Sequence, residues 1–290
     1  MPQILTIEDK IAAEYGDLSA KLRDAADFVA AHPVDVATRS LRAISASSGL
    51  APATFSRLAR ALGFSSYEEM RELSRNAVGR RVVSFSEKAR RLQAEAGTGD
   101  QPPLLMRQAG ACIANIEALT KLIDPVRLEA AVERMHRARK VVLFGALGSA
   151  GIVEYMAYMG YYFAANWTIA GSPGGSLANA LADLGAEDVF LVLTKPPFAR
   201  RSICAAQMAA GQGAYVIVIT DTHACPALKH ASAGFILPSE SPQFFSSYAA
   251  SLVLAETIVG MLVARAGPCA KTRIEEVETR NHRLEEFRDA

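Results

Sequence analysis

After Lys140 the chain alternates between two textures, and that alternation limits the folds open to it. Short apolar runs stand at Val141–Phe144, Trp167–Ala170, Val189–Leu193, Tyr215–Thr220 and Phe235–Leu237. Helical segments separate them, at Ile152–Ala165, Ser176–Leu184, Arg200–Gly211, Cys225–Ala231 and Phe244–Val263. Runs apolar at successive positions predict strands buried on both faces, and their alternation with helices predicts a parallel sheet covered on both sides. Five such strands make one doubly wound domain, in which ligands bind beyond the carboxyl ends of the strands.

Before Lys140 the pattern is helical from Leu18 to about Leu92, broken only by a strand-like run at Val82–Phe85. Ala96–Pro103 is rich in turn formers and predicts a linker. Leu104–Ile123 then has helical spacing and is closed by Asp124-Pro125, with a further helix over Val126–Arg137. With 290 residues the chain has room for two domains at roughly 100–200 residues each. The fold class expected is an all-α N-terminal domain followed by an α/β domain with a five-stranded parallel sheet. The boundaries expected are 1–95 for the first, 96–125 for linker and connecting helix, 126–270 for the second, and 271–290 for a charged C-terminal helix. In that tail Ile274, Val277, Asn281 and Leu284 fall at a/d heptad spacing. An oligomer-forming helix and a helix packed back on its own domain both suit that spacing.

The formal net charge of +1 is uninformative until it is placed. Arg39, Arg42, Arg57, Arg60, Arg71, Arg75, Arg80 and Arg81 face only Glu68, Glu69 and Glu72 in one stretch, which carries +5 against −4 elsewhere. A basic patch on a near-neutral chain is the footprint of a nucleic-acid-binding module joined to another domain, although a solvated arginine-rich surface has the same charge. Cys112, Cys204, Cys225 and Cys269 lie far apart, without C-x-x-C or histidine in ligand spacing. That disfavours zinc and a disulfide framework and predicts reduced, buried thiols. No metal and no cofactor is expected. MPQILTIEDK lacks the basic start and long apolar run of a signal peptide. The apolar stretch Tyr248–Ala264, interrupted by Glu256, predicts a core helix rather than a membrane span, and the chain is expected to be cytoplasmic.

The most specific local pattern is Leu41–Phe64, LRAISASSGLAPATFSRLARALGF. Leu41, Ile44 and Ser48 share helical spacing, Gly49 supplies a residue able to take positive φ in a tight turn, and Leu50 plugs that turn. Pro52 suits the first turn of the next helix, where no N–H is needed. Ala51 stands where a Ser or Asp cap would be usual. Phe55, Leu58 and Leu62 form the buried stripe, leaving Ala53, Thr54, Ser56, Arg57 and Arg60 directed outward or sideways. A helix with small, hydroxyl and arginine residues on its outer face suits insertion in the major groove. Arg42, Pro52, Ala53, Thr54, Ser56, Arg57 and Arg60 are therefore the candidate DNA-binding residues; a helical hairpin packed for structural reasons alone is the weaker reading.

In Ile44, Gly49, Leu50, Ala53-Thr54, Phe55, Arg57, Leu62-Gly63-Phe64 and Tyr67-Glu68-Glu69-Met70 the stretch resembles the N-terminal domain of RpiR/MurR-type transcriptional regulators. The resemblance extends through the second half of the chain, whose order of elements is similar to the sugar-isomerase (SIS) domain of that family. It implies a homo-oligomer, dimer or tetramer, that binds double-stranded operator DNA, an inverted repeat by symmetry. It also implies a small carbohydrate-derived effector that changes operator affinity.

Within the second domain, Gly145, Gly148 and Gly151 surround Ser149 at a strand-to-helix turn, where open backbone N–H groups can hold an anion or a polyol. A plain tight turn explains the glycines equally well. The spacing is not the dinucleotide fingerprint, and no acidic residue closes the next strand. Resemblance to the family implies a phosphate-gripping S-x-S-G-x-T loop after the third strand. Here that segment reads Thr194-Lys195-Pro196-Pro197-Phe198-Ala199, which keeps one hydroxyl and loses two N–H donors to proline. Lys195, Arg200 and Arg201 are the groups that could replace the lost donors with charge, or else they are solvated. Glu240, in a loop resembling one that faces ligand, completes the expected ligand set of Gly145, Gly148, Ser149, Thr194, Lys195, Arg200 and Glu240. The effector expected is a sugar phosphate or a related anionic carbohydrate. The rival expectation, a sugar-phosphate isomerase with an accessory helical domain, needs a base near neutral pKa. His223 is the one histidine placed by sequence near the pocket, and no carboxylate–histidine pair stands out, so no catalytic residue is assigned.

Overall fold

A computed structural model of the chain describes residues 7–32, 35–36, 39–81, 85–96, 101–171 and 175–286. It divides into two compact units. The first holds Met1–Pro102 with Thr222–Pro226 and Gln243–Phe245; the second holds Pro103–Asp221, Ala227–Pro242 and Ser246–Ala290. The strand-like run expected at Val82–Phe85 lies outside the described residues except Phe85, which opens a helix, and half of the linker expected at Ala96–Pro103 lies outside them too.

The first unit is helical among its described residues, with α1 (Ile7–Glu14), α2 (Ala20–Ala31), α3 (Leu41–Ser48), α4 (Pro52–Ala61), α5 (Tyr67–Arg81) and α6 (Phe85–Ala96). Ile7, Val29, Ile44, Phe55, Leu58 and Met70 are sealed in its core. Ser40 caps α3 by accepting from the Ala43 N–H at 3.3 Å. The turn between α3 and α4 rests on Gly49 at φ 72°, a left-handed conformation open to glycine without strain. Leu50 packs half-buried against the core, as a turn plug should. Ala51 makes no side-chain cap for α4, so the first turn of that helix relies on Pro52 and packing.

In the second unit, α7 (Leu104–Leu122) and α8 (Pro125–Arg137) lead into the sheet. The order is then β1 (Val141–Gly145), α9 (Ala150–Phe163), β2 (Trp167–Ile169), α10 (Leu177–Ala182), β3 (Val189–Leu193), α11 (Arg200–Gly211), β4 (Tyr215–Thr220), β5 (Ala233–Ile236), α12 (Ala249–Ala266) and α13 (Pro268–Arg283). All strand pairs are parallel, in the order β2-β1-β3-β4-β5. Alternate residues serve opposite faces. Val141, Leu143, Val189, Leu191, Leu193, Ile217 and Ile219 share one core with α8, α9 and α12. Val142, Phe144, Phe190, Val192, Val216 and Val218 are equally buried and, by the period of two, turn to the face covered by α11, whose Ala205, Ala206 and Ala209 are buried. This is why the strands read as unbroken apolar runs.

Four expectations need correction. Cys225–Ala231 is not an α-helix; it contains a short 3₁₀ turn at Pro226–His230. β5 starts two residues and ends one residue upstream of the expected position, because the ladder pairs Ala233 with Ile217 and Gly234 with Val218, where Gly234 lies close against Leu228. The last large helix starts at Ala249 rather than Phe244. The four cysteines are free, but Cys204 and Cys269 are exposed rather than buried. The helix Ala249–Ala266 is long and apolar enough to cross a membrane by length and composition. Here Ala250, Leu254, Ile258 and Leu262 join the core on the sheet. The charged tail forms α13, which packs on α9: the Asn281 amide donates to the Tyr162 hydroxyl at 3.2 Å, and Ile274 and Val277 are half-buried.

Candidate functional site

β1 runs into a turn that no side chain at Gly145 would allow. A Cβ there would lie 2.5 Å from the Ser149 carbonyl oxygen and 2.9 Å from Val153 Cγ2. The tight turn delivers Ser149, 2% exposed, to the carboxyl edge of the sheet at the start of α9. Its hydroxyl is 3.0 Å from the hydroxyl of Tyr248, the residue just before α12. That phenol lies directly on the turn, since a Cβ on Gly148 would be 3.2 Å from it. The cradle that the glycines form is thus closed by a side chain of the chain itself.

β3 delivers the second part. Thr194 and Lys195 follow its end, at 3% and 5% exposure. The Thr194 N–H donates to the Ile219 carbonyl, which extends the ladder. Lys195 Nζ donates to the Ser247 carbonyl at 2.8 Å and lies 4.2 Å from the centroid of the Tyr248 ring. Burial, only partly opposed by the Asp221 carboxylate, lowers the Lys195 ammonium to about 8, from 10.5. Burial also raises the Tyr248 phenol. β4 ends in Thr220 and Asp221. Ser239, in the loop after β5, donates to Asp221 Oδ2 at 2.7 Å. Asp221 Oδ1 and Thr220 Oγ1 are buried and have no hydrogen-bond partner among the described residues. The ends of β1, β3, β4 and β5 and the start of α12 therefore converge on one polar cluster, at the place a parallel sheet offers for ligands.

Of the residues expected from sequence, Gly145, Gly148, Ser149, Thr194 and Lys195 lie at these strand ends. The tie between Ser149 and Lys195 runs through Tyr248. Lys195 is not solvated. Arg200 is exposed and lines, with Arg201, a groove of about 420 Å³ between α10 and α11, so the three cations do not converge. Arg201 lies 5.6 Å from the Phe144 ring. Glu240 exposes its side chain; it is its backbone that is held, with N–H and carbonyl paired to Asn115 at 3.1 and 2.8 Å. Tyr248 and Asp221 were not among the expected ligand residues. Asp221 directly follows the apolar run Tyr215–Thr220, whereas Tyr248 was hidden inside a helix expected from Phe244 onward.

On α4, Pro52, Ala53, Arg57 and Arg60 are exposed and Ser56 is half-buried, with Arg42 exposed on α3. No ion pair engages Arg42, Arg57 or Arg60 among the described residues. Thr54 is a correction: at 4% exposure it belongs to the buried face, because it stands one helical turn from Leu58 and beside Phe55.

The lowered Lys195 gives a pH test. Below pH 8 the lysine is protonated folded and unfolded, and its burial costs the folded state about 3 kcal/mol. Between pH 8 and 10.5 only the unfolded chain holds that proton, so this group makes stability rise with pH. Lys195→Met lacks that gain. Its stability relative to the parent, from urea unfolding, should fall on the order of 3 kcal/mol from pH 7.5 to 10.5. A pH-independent difference would mean that the ammonium keeps its solvent.

Residues 134–261 match the family model of the SIS domain. The sugar isomerase domain of the RpiR transcription factor from Sphaerobacter thermophilus is 21% identical with a TM-score of 0.56, covering 61% of this chain and 98% of its own. The NanR protein of Vibrio vulnificus, solved in complex with ManNAc-6P, is 20% identical with a TM-score of 0.56 and covers 96% of this chain and 99% of its own. Among curated proteins nothing matches. The second unit has an SIS-like fold.

Proposed function

We propose that the chain is a sequence-specific DNA-binding regulator whose operator affinity is set by a carbohydrate-derived effector bound at the strand ends of the SIS-like unit. The observation that carries the DNA half is the outer face of α4: Ala53, Ser56, Arg57 and Arg60 on one short helix, with no acidic partner for the arginines among the described residues. Small side chains admit the backbone of a groove, and guanidinium groups without an ion pair bind phosphate or guanine edges. Arg42 and the exposed Pro52 flank this surface; Thr54 supports it from inside.

The effector half is supported by the SIS-like fold and by unsatisfied buried hydroxyl and carboxylate oxygens at the strand ends. Ligand and DNA are then linked by a coupling free energy, typically about 1–3 kcal/mol. Paired heads on a two-fold dimer would read half-sites about 10–10.5 bp apart, or a multiple of that. The protein would act in the cytoplasm, where DNA and sugar metabolites meet.

The test is binding to DNA from the gene's own upstream region, measured by fluorescence anisotropy over a salt series. Arg57→Ala and Arg60→Ala should each cost about 1–3 kcal/mol at a base contact, or lower the salt slope by about 1 at a phosphate contact. Unchanged affinity and slope in both folded variants would eliminate α4 as the reader. Conversion of aldose to ketose phosphates by the purified chain would instead support the isomerase reading.

A further inference from the structure

The cluster at the strand ends contains one buried cation, and the chain itself already answers it. Lys195 donates to the Ser247 carbonyl and lies over the Tyr248 ring, and the Asp221 carboxylate acts on both Lys195 and Tyr248. One positive and one negative group leave the cluster neutral. Arg200 and Arg201, which could have tipped the balance, line the groove between α10 and α11 instead. A phosphate dianion arriving here would meet a lysine already donating to the Ser247 carbonyl and a carboxylate that repels it. It would also lack its usual cradle, because Pro196 and Pro197 have no N–H and Ala199 has no hydroxyl.

What the cluster does leave open has the chemistry of hydroxyl groups. Asp221 Oδ1 is buried and needs a donor. Ser149 and Tyr248 share one hydrogen between them and retain one more to give, and Lys195 has two N–H beyond the one used on Ser247. Phosphate oxygens only accept when ionised, so they would leave Asp221 Oδ1 unpaired. A hydroxyl both donates and accepts, and a diol can satisfy Asp221 with one group while accepting from Lys195 or the Tyr248–Ser149 pair with the other.

We propose that the polar cluster at the strand ends takes an uncharged polyhydroxylated ligand and excludes phosphate, with Asp221 and Lys195 as the specificity-determining pair. This rests on reading the second unit as a carbohydrate sensor. The experiment is calorimetry and thermal shift on the full chain at constant ionic strength. Its probes are glucose, ribose and N-acetylmannosamine, each beside its terminal phosphate ester, and inorganic phosphate alone. At least one free sugar should bind, its phosphate ester should bind about tenfold weaker or worse, and inorganic phosphate should leave the melting temperature unchanged. Asp221→Asn keeps the bond from Ser239 but removes the negative charge, and it should gain a phosphate-induced rise in melting temperature.

An ester that binds as tightly as its free sugar, or stabilisation of the parent chain by inorganic phosphate, overturns phosphate exclusion and leaves carbohydrate sensing standing. Silence towards every sugar and ester, with operator binding intact, overturns both this inference and the carbohydrate reading.

Discussion

Replacing Phe55 with alanine should lower the stability of the N-terminal unit by about 3–5 kcal/mol, the usual cost of emptying a large aromatic site. The ring is fully buried. It meets Phe28 edge-on at 6.0 Å between centroids and Tyr67 at 6.3 Å, so three helices lose a shared contact at once. Ile44, Leu58 and Met70 are buried in the same core cluster. Phe55 also sits one position after Thr54 on α4, so the loss frees the helix whose outer face carries Arg57 and Arg60. Trp167, the single tryptophan, belongs to β2 of the other unit, so the transition should be followed by circular dichroism rather than fluorescence. A cost under about 1 kcal/mol would mean that the core closes over the gap, at odds with this packing.

Gly145→Ala should be a damaging small change at the strand-end site of the second unit. The added methyl would lie 2.5 and 2.8 Å from the carbonyl oxygen and carbon of Ser149, which are backbone atoms that no rotamer change can move aside. Overpacking of this kind costs typically about 1–3 kcal/mol. Because the atoms that must yield belong to Ser149, the hydroxyl pairing with Tyr248 should be lost along with any response to ligand. Gly148→Ala makes a sharp comparison. Its methyl would approach only the Tyr248 hydroxyl, at 3.2 Å, so a small shift of one side chain relieves it. Thermal melts should rank Gly145→Ala well below Gly148→Ala; equal stability of the two would show that the turn opens without cost.

Legibility followed the range of the interactions involved. β1, β3 and β4 were readable because burial on both faces leaves an unbroken apolar run, a property of each strand taken alone. The α3–α4 turn was readable for a similar reason: Gly49 and Pro52 answer local backbone demands. Thr54 was misjudged because a threonine on a helix is neutral in pattern, and only its neighbours in the packed core decide whether it is covered. β5 shifted because its register is set by β4 through Ala233 and Ile217, not by its own apolar residues. In the tail, the heptad spacing of Ile274, Val277, Asn281 and Leu284 suited two partners; Asn281 meets Tyr162 on α9, while Leu284 is exposed.

By itself the sequence determined the two textures, the five strands of a parallel sheet, the glycine turn carrying Ser149 and the arginines on α4, because each follows from local pattern and backbone preference. Only the tertiary structure decided how the charges are answered. Lys195 and Tyr248 lie 53 positions apart, yet the start of α12 brings the phenol ring under the ammonium and onto Ser149. Arg200, five positions from Lys195, turns to a different groove. Sequence separation carries no information about such pairings, since the distance between two side chains at the end of a sheet is set by strand order and helix return.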